Sequence, residues 1–149
     1  HKMAEITFSR KISTEGRRFI DDGFNQYATA NGMTSNHAPF LFTATESGKI
    51  VGALTGHTGY NTVHISDFII DKDCRRGGLG TQLLKTAEEY FTAEGYDSID
   101  LTTLAFQAPE FYKMHGYTLE FIRKNTAEPK LTKYFFIKYL QDKSLTLAV

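Results

Sequence analysis

Between residues 68 and 81 the sequence is FIIDKDCRRGGLGT, a stretch that joins a predicted strand to a predicted helix. The strand covers residues 62–71, and apolar residues then recur from Leu79 to Phe91 at the spacing of one helix face. Glycines at 77, 78 and 80 let the main chain approach an anion closely, and a helix N-terminus offers unpaired N–H groups and partial positive charge. The stretch therefore predicts a strand, a phosphate-binding loop and a helix in direct succession.

Turn and periodicity signals divide the rest of the chain into short elements. They predict strands at residues 4–9, 39–45, 50–57, 62–71, 98–106, 117–122 and 133–140, and helices at 15–30, 79–94 and 109–115. Tight turns join the three strands between residues 39 and 71, which implies an antiparallel meander. The predicted fold class is therefore a mixed α+β arrangement in the order β-α-β-β-β-α-β-α-β-β.

Length and charge exclude several kinds of protein. The 149 residues, 41% of them apolar, suit one domain, which we expect over residues 3–149, with His1 and Lys2 as the remnant of an expression tag. Lys+Arg and Asp+Glu each total 17, which argues against a nucleic-acid or anionic-membrane partner. One cysteine, Cys74, excludes an internal disulfide and suits a reducing, cytoplasmic setting. No apolar stretch reaches the roughly 20 residues of a membrane span, and no ligand spacing predicts a metal site.

The sequence of the loop distinguishes between several known types of phosphate-binding loop. A Walker A loop ends in Gly-Lys-Ser/Thr, but here Thr81 follows Gly80 and the lysine is missing. A dinucleotide-binding fingerprint needs a third glycine where Leu83 stands. The loop instead matches Arg-x-x-Gly-x-Gly, with Arg75, Gly78 and Gly80. In this pattern the chain resembles the GNAT superfamily of N-acetyltransferases.

The resemblance covers about residues 50–122 and implies a GNAT-like, mostly antiparallel sheet flanked by helices, with acetyl-CoA as the cofactor. In this family the loop holds the pyrophosphate of coenzyme A, and the strand before it receives the pantetheine arm and the thioester. Residues 106–117, FQAPEFYKMHGY, resemble the closing pattern of a small bacterial type of member. The resemblance thereby implies cofactor contacts from Phe68, Ile69, Ile70, Arg75, Arg76, Gly77, Gly78, Leu79, Gly80 and Thr81.

Acetyl transfer to an amine needs an acid for the departing thiolate and a route for the proton of the amine. The resemblance implies Tyr112 as the acid, since a phenol is protonated at neutral pH. Asp67, beside the implied thioester position, is the proposed base, with His64 and His57 as alternatives. Each could instead be a packed aromatic or a solvated side chain. Strand alternation predicts that His64 and Asp67 lie on opposite faces, so that at most one faces the cleft.

These features predict an enzyme that moves an acetyl group from acetyl-CoA to a primary amine of a small molecule or protein, by direct attack in a ternary complex. Two other classes could use the same loop. A non-catalytic acyl-CoA-binding sensor or regulatory module would need no acid, and a nucleotide-binding domain would prefer ATP or GTP. The aromatic run Tyr134-Phe135-Phe136 suggests an edge strand through which the chain could form a homodimer.

Overall fold

The computed structural model describes residues 3–141, which fall into two compact units, one ending at Ser35 and the other beginning at Asn36. The helices are α1 (Thr14–Ala30), α2 (Leu79–Ala93) and α3 (Pro109–Met114), and the strands are β1 (Ala38–Glu46), β2 (Lys49–Gly59), β3 (Thr62–Ile70), β4 (Ser98–Leu104), β5 (Thr118–Arg123) and β6 (Lys133–Tyr139). The mixed α+β class is confirmed. None of the helices in residues 3–141 has the length and apolar character needed to cross a bilayer. The expected tag remnant, residues 1–2, lies outside the described residues.

The first unit contains α1. Ser13 caps this helix, because its Oγ accepts a hydrogen bond from the N–H of Gly16 at 2.9 Å. The strand predicted at residues 4–9 is wrong: these residues pair with no other strand, and Ile6 is 96% exposed. An alternating pattern becomes a strand only where a neighbouring strand completes its hydrogen bonds. The apolar positions of α1 have helical spacing, and of its residues only Ala28 is buried.

The second unit is built on a six-stranded sheet in the order β1-β2-β3-β4-β6-β5. The first three strands form the antiparallel meander that the tight turns predict, and β3 with β4 is the parallel pair. Strand β6 pairs antiparallel with β4 on one side and β5 on the other. The predicted edge strand at residues 134–136 is therefore wrong, because this apolar segment is buried between two neighbours, where Phe136 is 1% exposed.

The two faces of the sheet differ in what covers them. Helix α2 packs against one, the packed face, and its Leu84 and Phe91 join strand residues such as Leu54, Val63 and Phe136 in one buried cluster. The side chains that alternate with these residues form the opposite face, the open face, where most of them are exposed or half-buried. The open face carries Leu41, Thr55, His57, His64, Asp67 and Asp100.

Candidate active site

The predicted phosphate loop follows β3 and ends where α2 begins. Gly78 is the N-cap of α2 and has φ 82°, a conformation that residues with side chains rarely adopt. No side chain caps the helix, so its first N–H groups lack the partner that a serine or aspartate would supply. No atom lies within 4 Å of where a Cβ of Gly77 or Gly78 would stand. The loop therefore has open space beside its glycines and uncapped N–H groups at the start of α2, which suits a phosphate.

Two arginines flank this loop. The Nε of Arg75 donates to the main-chain oxygen of Ile70 at 3.0 Å, which anchors the arginine to the end of β3. Its two terminal nitrogens have no hydrogen-bond partner among the described residues. Arg76 is exposed, with φ 71°. Both guanidinium groups can thus turn towards an anion in the loop.

Strands β3 and β4 separate part of the way along their length. Parallel pairing joins residues 62–65 to residues 98–101. Beyond them β3 continues to Ile70 and β4 to Leu104 without further pairing to each other, and we call the resulting opening the seam. The main-chain groups on these two edges can bind something other than a strand. Residues 68–70, which the sequence analysis assigns to the cofactor, lie on the β3 side of the seam.

Tyr112 lies on α3 with its ring in the core of the packed face. It is 7% exposed, and its ring centroid is 5.6 Å from that of Tyr117 and 6.0 Å from that of Phe136. Burial raises the pKa of Tyr112 to about 12, so the phenol keeps its proton at neutral pH. The hydroxyl makes no hydrogen bond to a described group, yet no fully buried polar side-chain atom in residues 3–141 lacks a partner. The hydroxyl therefore retains access to solvent.

A hydrogen-bonded chain connects the loop to the helix that carries Tyr112. The hydroxyl of Thr81 lies 2.8 Å from Nε2 of His115, and Nδ1 of His115 lies 2.7 Å from the main-chain oxygen of Phe111. A carbonyl can only accept, so Nδ1 carries the hydrogen and Nε2 accepts from Thr81 when the ring is neutral. The helical pattern places His115 at a helix end, but its pairing with Thr81 could not be predicted, because 34 residues separate the two in the sequence.

A β-bulge in β3 changes which face its side chains occupy. The pairing with β2 skips Ser66, so that His64 lies opposite His57 and Asp67 lies opposite Thr55. Because His57 and Thr55 are two residues apart on a regular strand, both pairs lie on the open face. The prediction that His64 and Asp67 occupy opposite faces is therefore wrong, since alternation holds only in a strand without a bulge.

The bulge depends on a glycine in the neighbouring strand. A methyl group on Gly56 would overlap the main-chain oxygen of His64 and would lie 2.7 Å from the ring of Phe40. A glycine inside a strand often marks such a close approach of another backbone. Gly56 was therefore the signal in the sequence from which the bulge could have been predicted.

The candidate bases lie together on the open face. Asp67 is exposed, and its Oδ2 accepts a hydrogen bond from the hydroxyl of Thr55 at 3.0 Å. His64 places Nδ1 2.6 Å from a carboxylate oxygen of Asp100, and this hydrogen bond raises the pKa of His64. The ring centroids of His57 and His64 are 5.2 Å apart. The structure thus brings together three groups that sequence analysis treats as alternatives.

The titratable side chains near the seam lie on both sides of the sheet. Within residues 3–141 no three or more His, Cys, Asp or Glu side chains are arranged to hold a metal ion. Tyr112 lies on the packed side of the sheet, whereas Asp67 and His64 lie on the open side. A reactive carbonyl held in the seam would therefore have a proton donor on one side and proton acceptors on the other.

Two comparisons of the sequence with known proteins identify its relatives. The model of the Acetyltransferase (GNAT) family matches residues 2–117. The blasticidin-S acetyltransferase of Streptomyces morookaense is 36% identical over 75 residues, which make up 50% of this chain and 55% of that protein. The chain thus spans about half the length of this curated relative.

Solved structures of acetyltransferases share the fold. An acetyltransferase from Bacillus cereus has 27% sequence identity and a TM-score of 0.72, with 90% of this chain and 98% of that chain covered. A Bacillus anthracis protein assigned as a streptothricin acetyltransferase was solved in complex with acetyl coenzyme A. It has 18% identity and a TM-score of 0.61, with 72% of this chain and 65% of that chain covered, so its likeness concerns the fold alone.

Proposed function

This chain belongs to the acetyltransferase (GNAT) family, and from that premise we propose that it transfers an acetyl group from acetyl-CoA to a primary amine of a small molecule or a protein. One observation carries the proposal. The start of α2 at Gly78 has no side-chain cap, and the loop before it leads directly from the seam between β3 and β4. A ligand with a pyrophosphate at one end and an extended arm at the other fits both features.

Acetyl-CoA supplies the acetyl group as a thioester, and the loop has the properties that its pyrophosphate needs. The N–H groups at the start of α2, together with Arg75 and Arg76, would hold the phosphate oxygens. Residues 68–70 would offer main-chain groups along the seam, and an N–H near Ile69 or Ile70 would polarise the carbonyl oxygen. Leu79, Gly80 and Thr81, in the first turn of α2, complete the proposed cofactor site.

We assign the role of general acid to Tyr112. Its raised pKa keeps the phenol protonated, and its hydroxyl is not sealed inside the core. A phenol that is protonated at neutral pH has a proton to give to the leaving thiolate as the carbon–sulfur bond breaks. The hydrogen bond between Thr81 and His115 supports the assignment, because it fixes α3 to the loop that would hold the donor.

We assign Asp67 to the acceptor side of the reaction. Its carboxylate is exposed on the open face and is held by Thr55. A carboxylate in this position attracts the ammonium form of the incoming amine and can take its proton directly or through a water molecule.

The acceptor class follows from the relatives. Because a relative at 36% identity is a blasticidin-S acetyltransferase, we propose blasticidin S as the first amine to test, followed by other small amines and peptides with free amino groups.

The family model covers parts of both compact units, which supports one acyltransferase domain over residues 3–149. The single cysteine supports a cytoplasmic location.

Thermal unfolding with acetyl-CoA, ATP or NAD tests the cofactor. A ligand at about 100 times its Kd stabilises a protein by roughly 2.7 kcal/mol, so we expect a clear rise in Tm with acetyl-CoA alone. Gly78→Glu should abolish the rise, because it puts bulk and negative charge in the loop. Gly95→Glu is the matched control, since Gly95 also has a positive φ and open space but lies at the other end of α2. A shift with ATP alone would instead support a nucleotide-binding domain.

Thiol release in the presence of acetyl-CoA and the amine panel tests the chemistry. We expect Tyr112→Phe to lower kcat about 100-fold while the Tm rise with acetyl-CoA stays unchanged. Tyr90→Phe, which removes the hydroxyl of an exposed tyrosine on α2, should keep the wild-type rate. Binding of acetyl-CoA without transfer to any amine would contradict the proposed acetyltransferase activity and would favour a non-catalytic sensor.

A further inference from the structure

A row of imidazole rings crosses the open face and ends on a carboxylate. His57 of β2 lies directly opposite His64 of β3, and His37, just before β1, has its ring centroid 5.7 Å from that of His57. His64 in turn pairs with Asp100 of β4, with Nδ1 2.6 Å from a carboxylate oxygen. Four titratable groups from four neighbouring segments thus share one surface.

Asp100 fixes the arrangement of protons on His64. A carboxylate oxygen can only accept a hydrogen bond, so Nδ1 of His64 must carry the hydrogen in this contact. The lone pair on Nε2 is then left as the proton acceptor of the ring. The side chains of His64 and Asp100 are 37% and 41% exposed, so a solute can reach the pair.

The pair stands at the closed end of the seam. The ladder between β3 and β4 ends one residue later, at Ile65 and Leu101, and beyond it the strands separate. Tyr112 belongs to the core of the packed face, so the acid and His64 lie on opposite sides of the sheet. An amine that enters the seam from the open face therefore has His64 on its own side of the sheet, and its proton can reach the imidazole through water without disturbing the packed core.

We propose that Nε2 of His64 accepts, through intervening water, the proton that the amine loses during acetyl transfer, with Asp100 as a positioning residue. This rests on the acetyltransferase function proposed above. The ammonium first gives one proton to solvent. The neutral amine nitrogen then forms a bond to the carbonyl carbon, the carbon–sulfur bond breaks, and the thiolate takes a proton from Tyr112. The second proton of the amine passes through water to His64 and then to solvent, and solvent returns a proton to Tyr112.

The surroundings of His64 favour it over Asp67 as the acceptor. Hydrogen bonding to Asp100 raises the pKa of His64 and outweighs its partial burial. Burial, followed by the neighbouring imidazoles, lowers the pKa of His57, so that ring stays neutral and places no charge beside His64. An imidazole is ordinarily a stronger base than a carboxylate, and one oxygen of Asp67 already accepts from Thr55. Asp67 is then left to attract the cationic amine.

The test uses the full chain, acetyl-CoA and the amine that the wild type acetylates fastest in a panel containing blasticidin S. We expect His64→Gln to lower kcat about 100-fold at neutral pH while the Tm rise with acetyl-CoA is unchanged. Asp100→Asn should move the rising limb of the kcat/KM profile to lower pH, because loss of the carboxylate lowers the pKa of His64. His37→Gln removes an exposed ring from the same row and should keep the wild-type rate.

An NMR titration of the His64 imidazole gives a readout that does not depend on turnover. We expect its pKa to coincide with the rising limb in the wild type and to fall together with the limb in Asp100→Asn. If His64→Gln fails to fold, these two measurements decide alone.

Three results would overturn the assignment. A His64→Gln enzyme with the wild-type kcat would show that His64 does not accept the proton. If only Asp67→Asn lowered kcat, the carboxylate of Asp67 would be the proton acceptor. If the rising limb of the kcat/KM profile of Asp100→Asn did not follow the pKa of His64, the limb would report another group, and Asp100 would not act through His64. A wild type that binds acetyl-CoA but acetylates no amine would overturn the proposed function, and this inference with it.

Discussion

The packed face and the open face belong to the same strands but differ in what their side chains do. On the packed face Leu54 and Val63 are completely buried beneath α2, and they stabilise the fold by hydrophobic burial and close packing. On the open face the neighbouring positions carry Thr55 and His64, whose polar atoms bond across strands and remain within reach of solvent. One side of a strand can thus secure the fold while the other is free to carry chemistry.

The comparison also shows how a strand can serve both purposes without compromise. Side chains on opposite faces do not compete for space, so a polar group on the open face costs little stability. The bulge at Ser66 uses this freedom, because it adds Asp67 to the open face while Phe68 still packs towards the core.

The largest loss of stability is expected from the packed face. Phe136→Ala should lower the free energy of unfolding by about 4 kcal/mol, because it removes a fully buried ring and leaves a cavity beside Tyr112. Leu41→Ala, at a residue that is 61% exposed on the open face, should cost less than about 1 kcal/mol. Urea denaturation measures both, and equal losses would contradict the division between the faces.

The bulge that joins the two faces should come next. Gly56→Ala should cost about 3 kcal/mol, because the new methyl group would force the main chain of His64 to move. Gly59→Ala, in the same strand but with no atom within 4 Å of the new Cβ, is the matched control and should stay within about 0.5 kcal/mol of the wild type. Denaturation midpoints distinguish the two variants. If Gly56→Ala had the wild-type free energy of unfolding, the backbone at the bulge could shift without a loss of stability.

A charged group at the rim of the packed face sharpens the comparison. Glu88 of α2, with a side chain 12% exposed, accepts hydrogen bonds from Tyr117 at 2.8 Å and from Lys138 at 3.1 Å. Glu88→Gln should cost about 2 kcal/mol, because both donors lose a charged partner. Its exposed neighbour allows a control, Glu89→Gln, that should change the stability by less than about 0.5 kcal/mol. Similar midpoints for the two variants in urea would show that Glu88 behaves as a surface residue.

The smallest effect should come from the open face and should depend on pH. The hydrogen bond to Asp100 raises the pKa of folded His64 above its unfolded value of about 6.5. The stability that this pair contributes is therefore fully present below the unfolded pKa and is lost as pH rises through the folded pKa. The stability difference between wild type and Asp100→Asn should be largest below the unfolded pKa of about 6.5 and should shrink as pH rises through the raised pKa of folded His64. Denaturation at several pH values measures it, and a difference that grows with pH would contradict the pairing.

Much of the fold, including the loop between β3 and α2, could be predicted from local patterns. The strand, the glycines and the helix between residues 62 and 93 follow one another along the chain, so neighbouring residues determine the whole loop. The Ser13 cap and the antiparallel meander depend on equally short signals. The strand at residues 4–9 was wrong because alternation is necessary for a strand but does not supply a partner.

The acid–base groups could not be placed from local patterns. His64 and Asp100 are 36 residues apart and meet only because β3 and β4 pair in one particular register. The face of Asp67 depends on the bulge, whose cause, Gly56, lies on another strand. The contact of His115 with Thr81 likewise depends on how two helices pack. Each of these features requires the tertiary structure.

The ladder between β3 and β4 is shorter than that between any other two neighbouring strands of the sheet. Four residue pairs join one three-stranded half, β1-β2-β3, to the other, β4-β6-β5. A ligand that lay along the unpaired edges would touch both halves and add cohesion where the backbone supplies least. The energy of binding would then also oppose separation of the halves, as it does for any ligand that binds only the folded state. The resistance of this protein to unfolding, and hence its lifetime, would rise and fall with the supply of such a ligand.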